Sequence, residues 1–305
     1  SADGFVIWTR LAPEPFDTAY LGQTIFEIAW EVAEDPEFAR IAKQGVGWAR
    51  PHLAHAVHVV VEGLAPGREY FYRFRLGRYE SAVGRALTCP AADAEPSALK
   101  FAFASCAHYE QGFFSAYRYM AEDRPDLVLM LGDYIYEFED GVYGEGSGLL
   151  RIPEPRREAV TLSDYRIRYA TYRSDPDLQE AHRQHPFILV WDDHEITNDT
   201  WADGAANHNP DRGEGDWATR KAAAYRAYLE WLPVREPGSA RQRPRLSRWK
   251  ENGRRFDTTI RLPFFDFIRA SFTSRPPRRG RAGTACASGR RNRRPRARSA
   301  RRWPG

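Results

Sequence analysis

Cysteine is scarce: Cys89, Cys106 and Cys286 are the only three in 305 residues, and no two form a CxxC pair. That argues against a disulfide framework, so each thiol has to be judged alone. Lysine is nearly missing as well, at 4 residues against 41 arginines, a bias that GC-rich coding produces. No apolar run reaches the ~18 residues that a membrane-spanning helix requires. The opening SADGFVIWTR has neither an initiator Met nor a basic-then-apolar leader, and it reads as a processed or truncated start.

The charge is unevenly placed. Residues 1–240 hold 24 Lys and Arg against 38 Asp and Glu, whereas residues 241–305 hold 21 against 3. The overall +4 and the pI near 9 therefore describe no real surface, and the nucleic-acid reading that a basic pI invites applies to the last fifth alone. From Arg275 onward there are 12 arginines, no acid and almost no apolar periodicity, a composition that cannot build a packed core.

Four short segments rich in aromatic and β-branched residues, Phe5 to Arg10, Ile25 to Ala33, Val57 to Val61 and Tyr70 to Arg75, are separated by Pro and Gly clusters. They predict an all-β domain over residues 1–90. In GLAPGREYFYRF the Pro66-Gly67 turn sets Tyr70 and Tyr72 on one face of the next strand, as in an immunoglobulin-like or fibronectin-like sandwich with a tyrosine near its corner. Residues 91–99, rich in Ala and Pro, read as a linker.

Beyond the linker, apolar strands alternate with helical stretches. Strands are expected at Lys100 to Ser105, Leu127 to Leu131 and Phe187 to Trp191, and helices at about Gln111 to Glu122, Leu162 to Tyr172 and Thr219 to Trp231. This pattern predicts an α/β layer with buried, largely parallel strands over residues 100–240. Three of the strand ends deliver metal-competent side chains: Cys106, then Asp133 with Tyr136, then Asp192, Asp193, His194 and Glu195 followed by Asn198. Ligands bind at the carboxyl ends of such strands. Taken singly, Cys106 reads as a small hydrophobe and Asp133 as a turn cap, but adjacent acids at the end of an apolar strand repel and desolvate one another unless a cation joins them. His108, His182, His185 and His208 lack that context and read as exposed or packed, and Trp201 and Trp217 read as packing residues.

The order FASC, LMLGDYIYE, VWDDHEITND and GEGDWATRKAAAYRAYLEWLPVR resembles the PhoD-type alkaline phosphatases, a branch of the calcineurin-like metallophosphoesterases, over about residues 5 to 237. FVIWTRL and GLAPGREYFYRF resemble the β domain that precedes the catalytic domain in that family. The resemblance implies a metallophosphoesterase-like β-sandwich flanked by helices. It also implies a ferric ion on Cys106, Asp133 and Tyr136, with Asp133 bridging to calcium. Asp193 would sit where related enzymes place a bridging Asn, Asn198 would lie on the calcium side, and His194 would contact the phosphate. Asp193 and His194 are then the catalytic pair. The reaction implied is attack of metal-bound hydroxide on a phosphate mono- or diester by a secreted or periplasmic/cell-surface protein; a monomer with no specific nucleic-acid partner is expected.

A complete family member supplies further metal ligands downstream, yet no His follows His208. The expectation is that the frame or gene is interrupted near residues 237 to 250 and that residues 241–305 are a disordered, non-homologous tail. Resequencing that returned the same frame, with a stable metal-loaded product, would refute it. Two other readings stay open: an inactive fragment with an incomplete metal centre, and a nucleic-acid binder acting through the tail.

Overall fold

The computed structural model describes residues 1–142 and 151–235; the expected tail, and with it any interruption near residues 237 to 250, lies outside the described residues. The amino-terminal strands are β1 (Gly4–Arg10), β2 (Phe26–Ala33), β3 (Ile41–Ala49), β4 (Ala56–Glu62), β5 (Glu69–Leu76), β6 (Tyr79–Glu80) and β7 (Gly84–Leu87). β1 pairs antiparallel with β4, while β3, β2, β5 and β6 run in that order in a second antiparallel sheet, with β7 also on β5. Inward residues of both sheets, among them Ile7, Val57, Val59 and Val61 from the first and Ile28, Val32 and Phe74 from the second, share one apolar core. Tyr70 is buried, and its hydroxyl accepts the Ala65 N–H at 3.0 Å, closing the corner that the Pro-Gly turn opens.

β3 is the longest of the strands that the sequence conceals, β6 and β7 being the others in this half, because Gly45 and Gly47 interrupt its apolar pattern. Both glycines make room for a neighbour. A Cβ at Gly45 would meet the Trp30 ring at 2.7 Å, and one at Gly47 would meet Val57 Cγ1 at 2.6 Å.

The second half holds β8 (Phe101–Ala104), α1 (Ser115–Glu122), β9 (Leu127–Met130), α2 (Leu162–Arg173), α3 (Pro176–Gln184), β10 (Phe187–Leu189), the hairpin β11 (Thr200–Trp201) and β12 (Gly204–Ala205), and α4 (Trp217–Trp231). β8, β9 and β10 form a parallel sheet with β9 in the centre. The helices begin where local chemistry starts them. Thr161 and Asp164 form a capping box on α2, Asp175 caps α3 ahead of Pro176, and Asp216 caps α4. α4 ends at Trp231, two residues before Pro233. α1 starts later than the periodicity suggests, since a short 3₁₀ turn over Tyr109–Gln111 precedes it. Buried tyrosines from α2 (Tyr165, Tyr169, Tyr172) meet Tyr228 and Trp231 of α4 and Met130 of β9 in one core.

The described residues lie in one compact unit. Trp8 of β1 donates its indole N–H to Glu230 O at 3.0 Å, and His58 of β4 meets Leu232 O at 2.9 Å. Arg10 stacks on the Trp231 ring at 4.2 Å. His55 and His58 thus spend ring nitrogens on backbone carbonyls, which is a packing role.

Candidate metal centre

The three strand ends converge. Cys106 follows β8, Asp133 follows β9, and Asp193 and His194 follow β10. Sγ of Cys106 donates to Oδ2 of Asp133 at 3.3 Å, and the Tyr136 hydroxyl donates to the same oxygen at 3.3 Å. Ligand atoms of Asp133, Asp193 and His194 all lie within 4.8 Å of one another. The backbone is shaped for this meeting: Cys106 (φ 55°), Asp133 (φ 53°) and Asp199 (φ 54°) occupy the left-handed region, which disfavours residues carrying a Cβ. Cys106 N–H reaches Gly132 O at 3.3 Å, and Ala107 N–H reaches Asp133 O at 2.9 Å, so the two turns hold each other.

The donor set fits a cation. Asp133 is 7% exposed, and its Oδ1 is buried without a hydrogen-bond partner among the described residues, a costly state for a carboxylate oxygen unless something positive meets it. Asp192 is raised by burial and then by the charges of Asp133 and Asp193, the mutual repulsion that a metal relieves. Carboxylate and phenol oxygens suit hard cations, and the thiol adds a softer donor.

His194 is held from behind. Its Nδ1 donates to Oε2 of the fully buried Glu137 at 2.8 Å. Burial alone would lower the His194 pKa, but the Glu137 hydrogen bond and charge, followed by Asp193 and Asp133, raise it. Glu137 itself is lowered; burial opposes this, and the bond to His194 prevails. Its Oε1 accepts the Thr197 hydroxyl at 3.0 Å and the Asn198 N–H at 2.7 Å. Asn198 therefore joins the site through its backbone, while its side-chain amide donates to Asp199 at 3.1 Å. Asp193 Oδ2 accepts the Asp199 N–H.

Glu195, read from sequence as part of the acidic cluster, faces the other way. It is 1% exposed and accepts backbone N–H groups from Asp133, Tyr134 and Asp192. Glu137 was not singled out in the sequence at all. The histidines that the sequence left without metal context are packed: His108 lies against the Tyr136 ring at 4.6 Å, and burial, followed by His194 and Arg168, lowers it to about 4. His182 stacks on Phe187 at 3.8 Å, His185 meets Pro125 O at 2.9 Å, and His208 lies against Trp217 at 5.2 Å. Trp201 is half exposed, with its ring over Gly204.

The PhoD-like phosphatase family profile matches residues 101–260, and the profile of the PhoD-like phosphatase N-terminal domain matches residues 1–90. Over 236 residues the chain is 43% identical to alkaline phosphatase D of Bacillus subtilis (strain 168), covering 77% of this chain and 40% of that protein. A solved structure of PhoD matches with a TM-score of 0.73 at 42% identity, covering 77% of this chain and 44% of the other. The chain thus spans about two fifths of the length of the curated relative that it matches.

Proposed function

The chain belongs to the PhoD-like phosphatase family, and from that premise we propose that it hydrolyses phosphate mono- or diesters with the help of metal ions held at the ends of β8, β9 and β10. The observation that carries this reading is the Asp133 carboxylate. One of its oxygens accepts hydrogen bonds from Cys106 and Tyr136, and the other is buried with no partner among the described residues. Cys106, Asp133 and Tyr136 would hold a ferric ion, and Asp133, Asp193 and Asn198 would hold calcium. When bound, such ions supply Lewis acidity, charge neutralisation at the phosphoryl oxygens and activation of water.

The protein's own groups supply position and a proton. In the hydrolysis a water oxygen bonds to phosphorus as the ester P–O bond breaks, and the leaving alcohol oxygen takes up a proton. His194, fixed through Nδ1, presents Nε2 toward the Asp133–Asp193 group and is placed to stabilise a phosphoryl oxygen or protonate the leaving oxygen. Asp193 lies beside it as the second member of the catalytic pair.

The amino-terminal strands form an immunoglobulin-like domain joined through residues 91–99 to a catalytic domain of the metallophosphoesterase sandwich type. No described helix is long and apolar enough to cross a membrane, and on the family resemblance the protein acts as an exported monomer. Purified protein analysed for iron and calcium and assayed on p-nitrophenyl phosphate and its bis-ester tests the proposal. Bound metal and turnover, both lost in Asp133→Ala and Cys106→Ala, are expected; metal-free protein with unaltered turnover would refute it.

A further inference from the structure

Asp133, Asp193 and His194, whose ligand atoms lie within 4.8 Å of one another, come from two separate loops. Among the described residues, the last backbone hydrogen bond between the β9 and β10 segments is Val190 N–H to Met130 O at 3.0 Å. Beyond it, sheet hydrogen bonding no longer sets the spacing. The two loops bring like charges together there, since carboxylate oxygens of Asp133 and Asp193 lie within 4.8 Å of each other.

We propose that Glu195 is the positioning residue of this group, its carboxylate tying the loop after β9 to the loop after β10 at the separation that the cation requires. The proposal rests on the metal-dependent reading above. Oε2 of Glu195 accepts the Asp192 N–H at 2.7 Å and the Asp133 N–H at 3.2 Å, and Oε1 accepts the Tyr134 N–H at 2.6 Å. One side chain therefore grips both loops through three main-chain donors.

Two further features make the tie specific to Asp133. Its φ of 53° is unfavourable for a residue with a Cβ, and its own N–H and the next one along the chain are both fixed on Glu195. Gly132 permits the close approach, because a Cβ there would lie 2.6 Å from Asp192 Cβ and 2.7 Å from its nitrogen. A carboxylate is the suited group: its lone pairs receive three N–H donors together, whereas a glutamine would turn an NH₂ toward at least one of them.

The test compares Glu195→Gln with Glu230→Gln. Glu230 is an equally buried carboxylate that pairs with Arg166 and Arg226 and has no part in the metal group. Dissociation constants for Ca²⁺ and Mn²⁺ are measured by calorimetry on metal-stripped protein well below its melting temperature. Glu195→Gln is expected to weaken binding by about 10- to 100-fold with an unchanged far-UV spectrum, whereas Glu230→Gln lowers the melting temperature but binds as the parent does. Binding by Glu195→Gln within twofold of the parent overturns the proposal and leaves the metal reading standing. Absence of cation binding in the parent overturns the metal reading, and this proposal with it. Should Glu195→Gln not fold, amide exchange in the parent decides. The Asp133, Tyr134 and Asp192 amides should exchange slowly as a set and slow further with cation; exchange at exposed-loop rates overturns the tie.

Discussion

Nδ1 of His194 lies 2.8 Å from Oε2 of Glu137, and the other oxygen of that carboxylate holds the backbone of Asn198 at 2.7 Å. One buried acid thereby fixes the orientation of the imidazole and the path of the loop that follows it. A hydrogen bond of this kind selects the ring tautomer, leaving Nε2 as the atom turned to the reaction.

Glu137→Gln is expected to keep the fold and lose turnover. The amide can accept from Asn198 only by pointing its NH₂ at Nδ1, which reverses the tautomer. The expected result is a kcat about 10- to 100-fold lower with little change in KM, together with a proton moved to Nε2 in long-range ¹⁵N–¹H spectra of the ring. Unchanged spectra and rates would remove Glu137 from the mechanism.

Asp133→Asn separates charge from shape. Asparagine tolerates the left-handed backbone that Asp133 adopts, and it removes one of several repelling carboxylates. Without metal, the variant should melt at or above the parent's temperature. With metal at about 100 times its dissociation constant, the parent should gain about 2.7 kcal/mol and the variant almost nothing. Calorimetric melts with and without a chelator check both signs.

His182 makes the fold acid-sensitive. It stacks half-buried on the Phe187 ring, its Nε2 bonds the Tyr134 hydroxyl at 2.9 Å, and burial, then the Arg173 charge, lowers its pKa well below the ordinary 6.5. A histidine kept neutral in the folded state gives its full stability above the unfolded value, and that stability is lost as pH falls below about 6.5. His182→Gln should flatten the decline in melting temperature between pH 7.5 and 5, a comparison that needs no enzymatic activity.

Tyr70→Phe should cost about 0.5 to 1.5 kcal/mol by removing the hydrogen bond to the Ala65 N–H, an exposed donor that water can then reach. Urea unfolding would show this as a lower midpoint at constant slope, with metal binding unaffected.

Much of this arrangement is legible in the residues. Apolar strands that each end in a polar side chain announce the convergence of Cys106, Asp133, Asp193 and His194, because strand direction alone carries those side chains to one edge. The supporting acids are harder to read. Glu137 stands in the run YEFED beside Glu139 and Asp140, and only burial distinguishes it from them. Glu195 was visible as an acid next to His194, but its backbone partners arise from folding two loops together, which spacing does not reveal. β3 escaped notice because what packs into the gaps at Gly45 and Gly47 is a ring from β2 and a methyl from β4, and α3 because its nine residues PDLQEAHRQ are mostly polar.

The bond from Trp8 to Glu230 spans 222 positions of chain. On a ribosome adding about 5 to 20 residues per second, the partner arrives roughly 10 to 45 seconds after the tryptophan is made. During that interval the amino-terminal sheets can close their own core, while the face bearing Trp8, Arg10 and His58 has nothing of α4 to rest on. Translation speed across the second half of the message thus sets how long an aromatic surface waits uncovered in a crowded cell.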